Sequence, residues 1–108
     1  MNNYEPTNVP VKQQIEIWVA QVNRTIFKQG AGNLPRLFIG NGRKYIKIWD
    51  KNGIFAFVRS SDGAILKPKN RNSPMLNHIR GSIYDSDVSK SVTRYGVRYM
   101  DDPRLGGE

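Results

Sequence analysis

The side chains that most often carry out catalysis are sparse in this sequence. His78 is its one histidine and cysteine is absent, so two imidazoles cannot share a metal or a proton, and thiolate chemistry is excluded. The closest acidic pairs are Asp85 with Asp87 and Asp101 with Asp102. The first pair follows a predicted helix and the second lies in a polar tail, where solvation explains both. We therefore predict a protein that is not an enzyme, with no catalytic residues, no metal and no cofactor.

Positive charge is the more prominent feature. The 108 residues include 17 basic and 9 acidic side chains, a formal net charge of +8. Of these, 12 basic but only 2 acidic residues lie between Arg24 and Arg80. A basic centre between nearly neutral ends is typical of a surface that binds phosphate polymers. Ordinary solubilising charge is the alternative interpretation.

The length predicts a single domain, since domains most often have roughly 100–150 residues. We place this domain at residues 10–100, after a flexible leader at 1–9 and before a disordered tail at 101–108. No apolar run approaches the ~20 residues of a membrane-spanning helix. The first residues also lack the charged and apolar regions of a signal peptide. These features favour the cytoplasm and no association with membranes.

The first predicted element is a helix from Pro10 to about Gln29. Pro10 suits a first helical turn, and Gly30 is where a helix often ends in a left-handed residue. One stripe at helical spacing should face the core: Val11, Ile15, Trp18, Val19, Val22 and Ile26.

The following segments predict strands. Glycine-rich breaks enclose a short edge strand at residues 36–39, and residues 43–49, 54–59 and 64–67 predict a three-stranded meander. Ser73 and Pro74 predict the start of a short second helix that ends near Ile83. Residues 92–99 predict an edge strand, although they also fit a helical stripe. The fold class is α+β, with the first helix packed on a three- to four-stranded antiparallel meander, followed by the short helix and an edge strand or loose tail.

Turn length decides which residues share a face of the meander. Three-residue loops would pair Asp50 with Ile54 and Val58 with Leu66, whereas two-residue loops would mix the two faces. Three-residue loops gather an aliphatic face that seats the helix: Ile46, Ile48, Ile54, Ala56, Val58 and Leu66. They gather a basic and aromatic face on the other side: Arg43, Tyr45, Lys47, Trp49, Phe55, Phe57, Arg59, Ile65 and Lys67.

The basic and aromatic face predicts sequence-tolerant binding of nucleic acid. Rings on a sheet can stack unpaired bases, at about 1–3 kcal/mol per base, while cations neutralise phosphates. Single strands are favoured over duplexes because rings outnumber Asn and Gln on this face. The expected binding residues are Arg43, Lys44, Tyr45, Lys47, Trp49, Phe57, Arg59 and Lys67, extended by Lys69, Arg71 and Arg80. Alternatively, the rings are covered by the chain's own C-terminal part or by a second copy in a homodimer, or the face docks another protein.

Residues 43–85 also resemble a family of short, uncharacterised proteins encoded by bacteriophages and other viruses. The shared features are residues 43–48, the Phe57-Val58 strand end, residues 62–68, Pro74, residues 80–83 and Asp85. Members of that family usually carry a small-Ser-Trp-Lys-Ala stretch before the proline. This chain has residues 69–73 there, without a tryptophan, so any role of that ring does not transfer. The resemblance implies a viral origin and little else. For a viral protein we expect a location in the cytoplasm of the infected host cell or in the virion. A virion component or host-factor inhibitor that docks a protein on the same face is the alternative to nucleic-acid binding.

Overall fold

The structure, a computed structural model, describes residues 9–30, 32 and 34–98. Within these ranges the chain forms one α-helix, nine strands and one turn of 3-10 helix at Val88–Lys90. In chain order the elements are α1 Val11–Thr25, β1 Leu37–Ile39, β2 Tyr45–Asp50, β3 Gly53–Arg59, β4 Ala64–Leu66, β5 Pro68–Asn70, β6 Ser73–Pro74, β7 Gly81–Ser82, β8 Val92–Thr93 and β9 Gly96–Val97. The α+β fold class is confirmed. Apart from Val9, the predicted leader and tail lie outside the described residues.

Helix α1 buries the face that its apolar spacing predicts. Pro10 precedes the first turn and its carbonyl accepts a hydrogen bond from the Gln14 amide. The helix ends at Thr25 rather than near Gln29, because Lys28, and not Gly30, takes a left-handed φ of 56°. The buried residues of the helix are Ile15, Trp18, Val19 and Val22.

The helix packs on one face of a five-stranded antiparallel sheet with the strand order β1-β2-β3-β4-β7. β1 is an edge strand, as predicted. Successive side chains of a strand point to opposite faces of the sheet. Every second side chain of the central strands therefore packs against α1, and the others point away from it. Four of the predicted core residues join the helix in one buried cluster: Ile46, Ile48, Ala56 and Val58.

The first turn departs from the predicted register near its tip. Asp50 pairs with Gly53 and Trp49 with Ile54, which is a two-residue loop, and Gly53 takes a φ of 135°. A bulge between Ile48 and Trp49 then restores the predicted pairs of Ile48 with Ala56 and Ile46 with Val58. As a consequence, Ile54 is opposite Trp49 on the outer face, away from the helix, rather than on the aliphatic face.

The second turn shifts the pairing by one residue. Val58 pairs with Ile65, and Phe57 pairs with Leu66, whereas a three-residue loop would have set Val58 opposite Leu66. Ile65 therefore belongs to the core cluster with the helix. Leu66 takes the outer face beside Phe57, so the predicted faces of these two residues are exchanged.

The predicted second helix, from Pro74 to about Ile83, is wrong. The backbone donors at both ends of the segment bond to the preceding strand region: the Met75 amide to the Lys67 carbonyl, and the Arg80 amide to the Ile65 carbonyl, each at 2.8 Å. A stretch this short cannot recover the cost of helix nucleation by itself, and the sheet supplies partners for its amides. Leu76, His78 and Ile79 are left exposed.

The prediction of one edge strand over residues 92–99 is wrong, because the described part of this segment, residues 92–98, folds back on itself as a separate hairpin with β8 and β9 as its two arms. β8 pairs with β9, and Val92 and Val97 are both buried. Ile83 is fully buried in the core, where its carbonyl accepts a hydrogen bond from Gln14 Nε2 of the helix at 3.0 Å. The Tyr84 hydroxyl donates to the Val9 carbonyl. Within the described ranges, no helix is long and apolar enough to cross a membrane.

Side chains of α1 and of the segment that follows it close part of the free edge of β1. Asn23 accepts a hydrogen bond from the Leu37 amide at 2.8 Å and donates one to the Leu37 carbonyl at 3.2 Å. Gln29 does the same for the chain before β1: it accepts from the Arg36 amide and donates to the Leu34 carbonyl. Two amide side chains thus replace a neighbouring strand at this edge.

Candidate nucleic-acid interface

The open part of the outer sheet face is built by β1 and β2. Tyr45, Lys47 and Trp49 alternate with the buried Ile46 and Ile48, so they point away from the helix. All three are partly exposed. These residues are at the positions where the sequence predicts a basic and aromatic surface.

Phe38 adds a ring that the sequence analysis did not include. It pairs directly with Trp49 across the β1–β2 ladder and is 50% exposed. Opposed residues of an antiparallel pair lie on the same face, so the two rings are neighbours. The alternation of residues 36–39 indicates that Phe38 points to one face of the strand. A strand this short does not, however, determine which residues of β2 it pairs with.

Two lysines lie over these rings. Lys47 Nζ is 5.8 Å from the centroid of the Trp49 ring, and Lys44 Nζ is 5.8 Å from that of Tyr45. Such cation–π contacts contribute about 0.5–1 kcal/mol at exposed sites. They hold each ammonium group beside a ring face, where a stacked base and its phosphate would both be in reach. We call Phe38, Lys44, Tyr45, Lys47 and Trp49 the β1–β2 patch.

The loop between β1 and β2 fixes one end of the patch. The Gly40 amide donates to the Lys47 carbonyl at 2.8 Å, and the Lys47 amide donates to the Asn41 carbonyl at 3.0 Å. Arg43 is exposed, and its carbonyl accepts a hydrogen bond from the Ser60 hydroxyl at 2.6 Å. The backbone of Arg43 is thereby tied to the β3–β4 turn while its charged end remains accessible.

Arg59 is partly neutralised by its own turn. It pairs with Asp62 through two hydrogen bonds, from Nε at 3.0 Å and from Nη2 at 2.7 Å. The Arg59 hydrogen bond lowers the pKa of Asp62 below its ordinary value, and a bond from the Ala64 amide adds to this against an opposing effect of burial. Arg59 lies opposite Tyr45, so the pair borders the patch and adds little net charge to it.

The prediction that Phe57 binds nucleic acid is wrong, because the ring is 1% exposed. It is opposite Lys47 on one side and Leu66 on the other, and β5 and β6 lie against its strand. Phe55 is also unavailable. The bulge beside it breaks the alternation, and its ring enters the core, where it meets Phe27 edge-on at 6.0 Å between centroids.

Several predicted cations do not converge on the patch. Lys67 Nζ donates to the Val97 carbonyl at 2.9 Å, which ties the end of β4 to β9. Arg80 has a buried Nε without a hydrogen-bond partner in the described part of the chain, and its Nη1 donates to the His78 carbonyl. Lys69 and Arg71 are exposed in the β5–β6 hairpin, as a separate basic projection.

Comparison with known protein families, with curated proteins and with solved structures finds no match. The resemblance of residues 43–85 to viral proteins therefore stays a prediction. Among the described residues, no group of three His, Cys, Asp or Glu side chains is arranged to hold a metal ion.

Proposed function

We propose that this protein binds single-stranded nucleic acid, with little sequence preference, through the β1–β2 patch. The observation that carries the proposal is the pairing of Phe38 with Trp49 on an open sheet face, with Lys47 over the Trp49 ring. Every base has a flat face, so stacking on such rings is sequence-tolerant and contributes about 1–3 kcal/mol per base. Rings rather than amide groups form the patch, which favours unpaired bases over the edges of paired ones.

The charges around the patch support a polyanionic partner. The carboxylates closest to it in sequence, Asp50 and Asp62, are each held by an arginine, Arg36 and Arg59. Lys44 and Arg43 are exposed at the Tyr45 end. A backbone that crosses the patch would therefore meet cations whose charge is not cancelled by neighbouring acids.

Fluorescence anisotropy of a labelled oligothymidylate tests this proposal. We expect the logarithm of the association constant to fall with the logarithm of salt concentration with a slope of about −2, given roughly −0.7 per phosphate and three cations. Trp49→Ala should weaken binding at least about fivefold, the low end of one stacking contact. Lys47→Ala should make the salt slope less negative by about 0.7.

Arg24→Ala is the matched control, since Arg24 is exposed on α1, on the opposite side of the sheet. It removes the same charge as Lys47→Ala and should leave affinity and slope nearly unchanged. Absence of binding at ~50 mM salt would overturn the proposal. Equal losses for the two variants would show that only the total charge matters.

A protein partner is the second candidate for the same surface. Phe38 is half exposed at the edge of the sheet and lies opposite Trp49, and exposed aromatic rings are common in protein interfaces. A second copy of this chain would be one such partner. Association with a protein through this surface would depend only weakly on salt concentration, unlike binding to nucleic acid. Sedimentation equilibrium at low and high salt measures whether the chain associates with itself under both conditions.

On the resemblance of residues 43–85 alone, we also propose that the protein is viral and acts in the cytoplasm of the infected cell or within the virion. Mass spectrometry of purified particles and of infected-cell extracts distinguishes these two locations. If the protein were found in neither sample, the proposed viral location would be wrong. The proposal that the patch binds nucleic acid would be unaffected.

A further inference from the structure

A cavity of about 350 Å³ lies between α1 and the loop that joins β1 to β2. Its volume falls in the range of roughly 300–1,000 Å³ that is usual for small-molecule sites. Ile39 lines the cavity and pairs with Ile48 of the core cluster, so both side chains are on the helix side of the sheet. The cavity is therefore on the opposite side of the sheet from the β1–β2 patch.

Three isoleucines from different elements give the cavity its apolar part. Ile15 of α1 and Ile46 of β2 are 1% and 8% exposed, whereas Ile39 of β1 remains 40% exposed. Apolar surface that is left in contact with water is stabilised when another apolar group covers it. This part of the cavity is therefore suited to a branched aliphatic group.

The loop side of the cavity has a fixed backbone. Gly40 and Asn41 line it, and both are bonded to Lys47 of β2, the first through its amide and the second through its carbonyl. The loop thus keeps its shape through hydrogen bonds to the sheet, and a ligand does not have to order it.

Lys12 and Glu16 bring opposite charges to the helix side of the cavity. Both residues line it, and their spacing of four places their Cβ atoms about 5–6 Å apart on one face of the helix. Both are exposed, and neither belongs to the two ion pairs that form within the described residues. The two charges are therefore available to a ligand that carries one of each sign.

We propose that this cavity binds a free α-amino acid with a branched aliphatic side chain, such as leucine. The carboxylate of the ligand is matched to Lys12, its ammonium group to Glu16, and its side chain to the three isoleucines. A terminal residue of a peptide keeps only one of the two charges, so the presence of both favours the free amino acid. The inference goes beyond the proposed function and does not depend on it, because the ligand and the face of the sheet are different.

Titration of the isotope-labelled full chain with L-leucine, followed by amide NMR, tests the site. The amides of Gly40, Asn41 and Gly42, which line the cavity, should shift and saturate together. Alanine lacks the branched side chain and should bind more weakly. Ile39→Ala should reduce the preference for leucine over alanine at least about threefold, because apolar contact is lost.

Two analogues of leucine test the assigned charges. 4-Methylpentanoate lacks the ammonium group, and leucinamide lacks the carboxylate. Glu16→Gln should weaken leucine binding about two- to fivefold, the range of an exposed ion pair, without weakening that of 4-methylpentanoate. Lys12→Gln should weaken leucine binding by a similar factor without weakening that of leucinamide. Because leucine has no net charge, the overall charge of the protein does not explain such losses.

Arg24→Gln is the matched control for Lys12→Gln. Arg24 is exposed on the same helix and does not line the cavity, so its replacement should leave leucine binding unchanged. Absence of saturable shifts up to the solubility limit of leucine would overturn the inference. Alanine, 4-methylpentanoate or leucinamide bound as tightly as leucine would also overturn it, and so would equal losses for Arg24→Gln and Lys12→Gln.

Discussion

Two glycines between β1 and β2 hold the patch residues through different contacts. A Cβ atom at Gly40 would lie 2.6 Å from Cδ1 of the Trp49 ring, whereas one at Gly42 would meet the backbone, 2.8 Å from Cα of Ile46. Gly42 also has a φ of 151°, a value that residues other than glycine rarely adopt. Gly40 thus makes room for the Trp49 side chain, which can move. Gly42 is required by the backbone itself, which leaves no room for a Cβ atom there.

Gly40→Ala and Gly42→Ala should therefore separate function from folding. The first should displace the Trp49 ring, with a change in tryptophan fluorescence and weaker oligonucleotide binding but little loss of stability. The second should lower the free energy of unfolding by about 1–3 kcal/mol, as expected for a strained backbone position. Urea unfolding and anisotropy measure the two effects. If Gly40→Ala bound the oligonucleotide normally with a displaced ring, Trp49 would not be a stacking residue.

The Arg59–Asp62 pair makes stability depend on pH with a definite sign. Because the hydrogen bond from Arg59 lowers the pKa of Asp62 from 3.8, the folded state prefers the ionised carboxyl. The pair therefore stabilises the fold above the ordinary pKa, and this contribution is lost as pH falls through the lowered value. The effect is small, since the Asp62 side chain is half exposed.

Thermal unfolding of Asp62→Asn should accordingly show a lower midpoint than the parent at neutral pH, with a difference that shrinks as the solution is acidified below the ordinary pKa. Arg59→Gln removes the same interaction, so the double variant should be no less stable than the less stable single variant. If the difference in melting temperature between Asp62→Asn and the parent stayed constant down to the lowest pH, the substitution would destabilise the turn itself and not the ion pair with Arg59.

At the scale of elements, the sheet's outer face is divided into an open half and a covered half. β1 and β2 present Phe38, Tyr45 and Trp49, while Phe57 and Leu66 are sealed on β3 and β4. The alternation of β2 was predictable, because it follows directly from the period of two. The bulge beside Phe55 and the shifted second turn were not, since Asn-Gly and Asp-Gly are compatible with both loop lengths.

Phe57→Ala and Phe38→Ala test this division. Phe57→Ala should destabilise the protein by about 3–5 kcal/mol, as for a buried phenylalanine. Phe38→Ala should change stability by only about 0.5 kcal/mol and weaken oligonucleotide binding. Urea unfolding and anisotropy on the same two proteins give both values. A Phe38→Ala protein with full affinity would remove β1 from the interface.

Asn23 couples the helix to the sheet edge. Loss of its side chain leaves the Leu37 amide and carbonyl without their partner, and unmet buried polar groups cost about 1–3 kcal/mol. Asn23→Ala should therefore lower stability by that amount and expose the β1 edge, which favours strand-to-strand association. Gln13→Ala, an exposed amide on the same helix, should do neither. Urea unfolding and size-exclusion chromatography across concentration measure stability and association.

At the scale of the whole molecule, the sequence predicts the amount of charge but not its placement. The excess between Arg24 and Arg80 is genuine, yet Lys67, Arg59 and Arg36 are engaged in hydrogen bonds to a carbonyl or a carboxylate. Which cations remain available depends on long-range pairings that alternation along the chain does not reveal. The missing second helix has the same origin, since the amides of Met75, Arg80 and Ile83 are bonded to the carbonyls of Lys67, Ile65 and Gly63, far earlier in the chain.

The unbalanced charge should make the free protein more stable in salt. Only two ion pairs form within the described residues, Arg36–Asp50 and Arg59–Asp62, while the net charge is +8, so screening removes more repulsion than attraction. Raising NaCl from about 0.1 M to 1 M shortens the Debye length from about 10 Å to 3 Å and should raise the melting temperature. Replacement of the exposed Lys69 and Arg71 by glutamate lowers the net charge by four, and should raise the low-salt melting temperature and flatten its salt dependence. A lower melting temperature of the parent protein at high salt would show that attraction between opposite charges dominates. That result would contradict the interpretation that the surface carries uncompensated positive charge available to a polyanion.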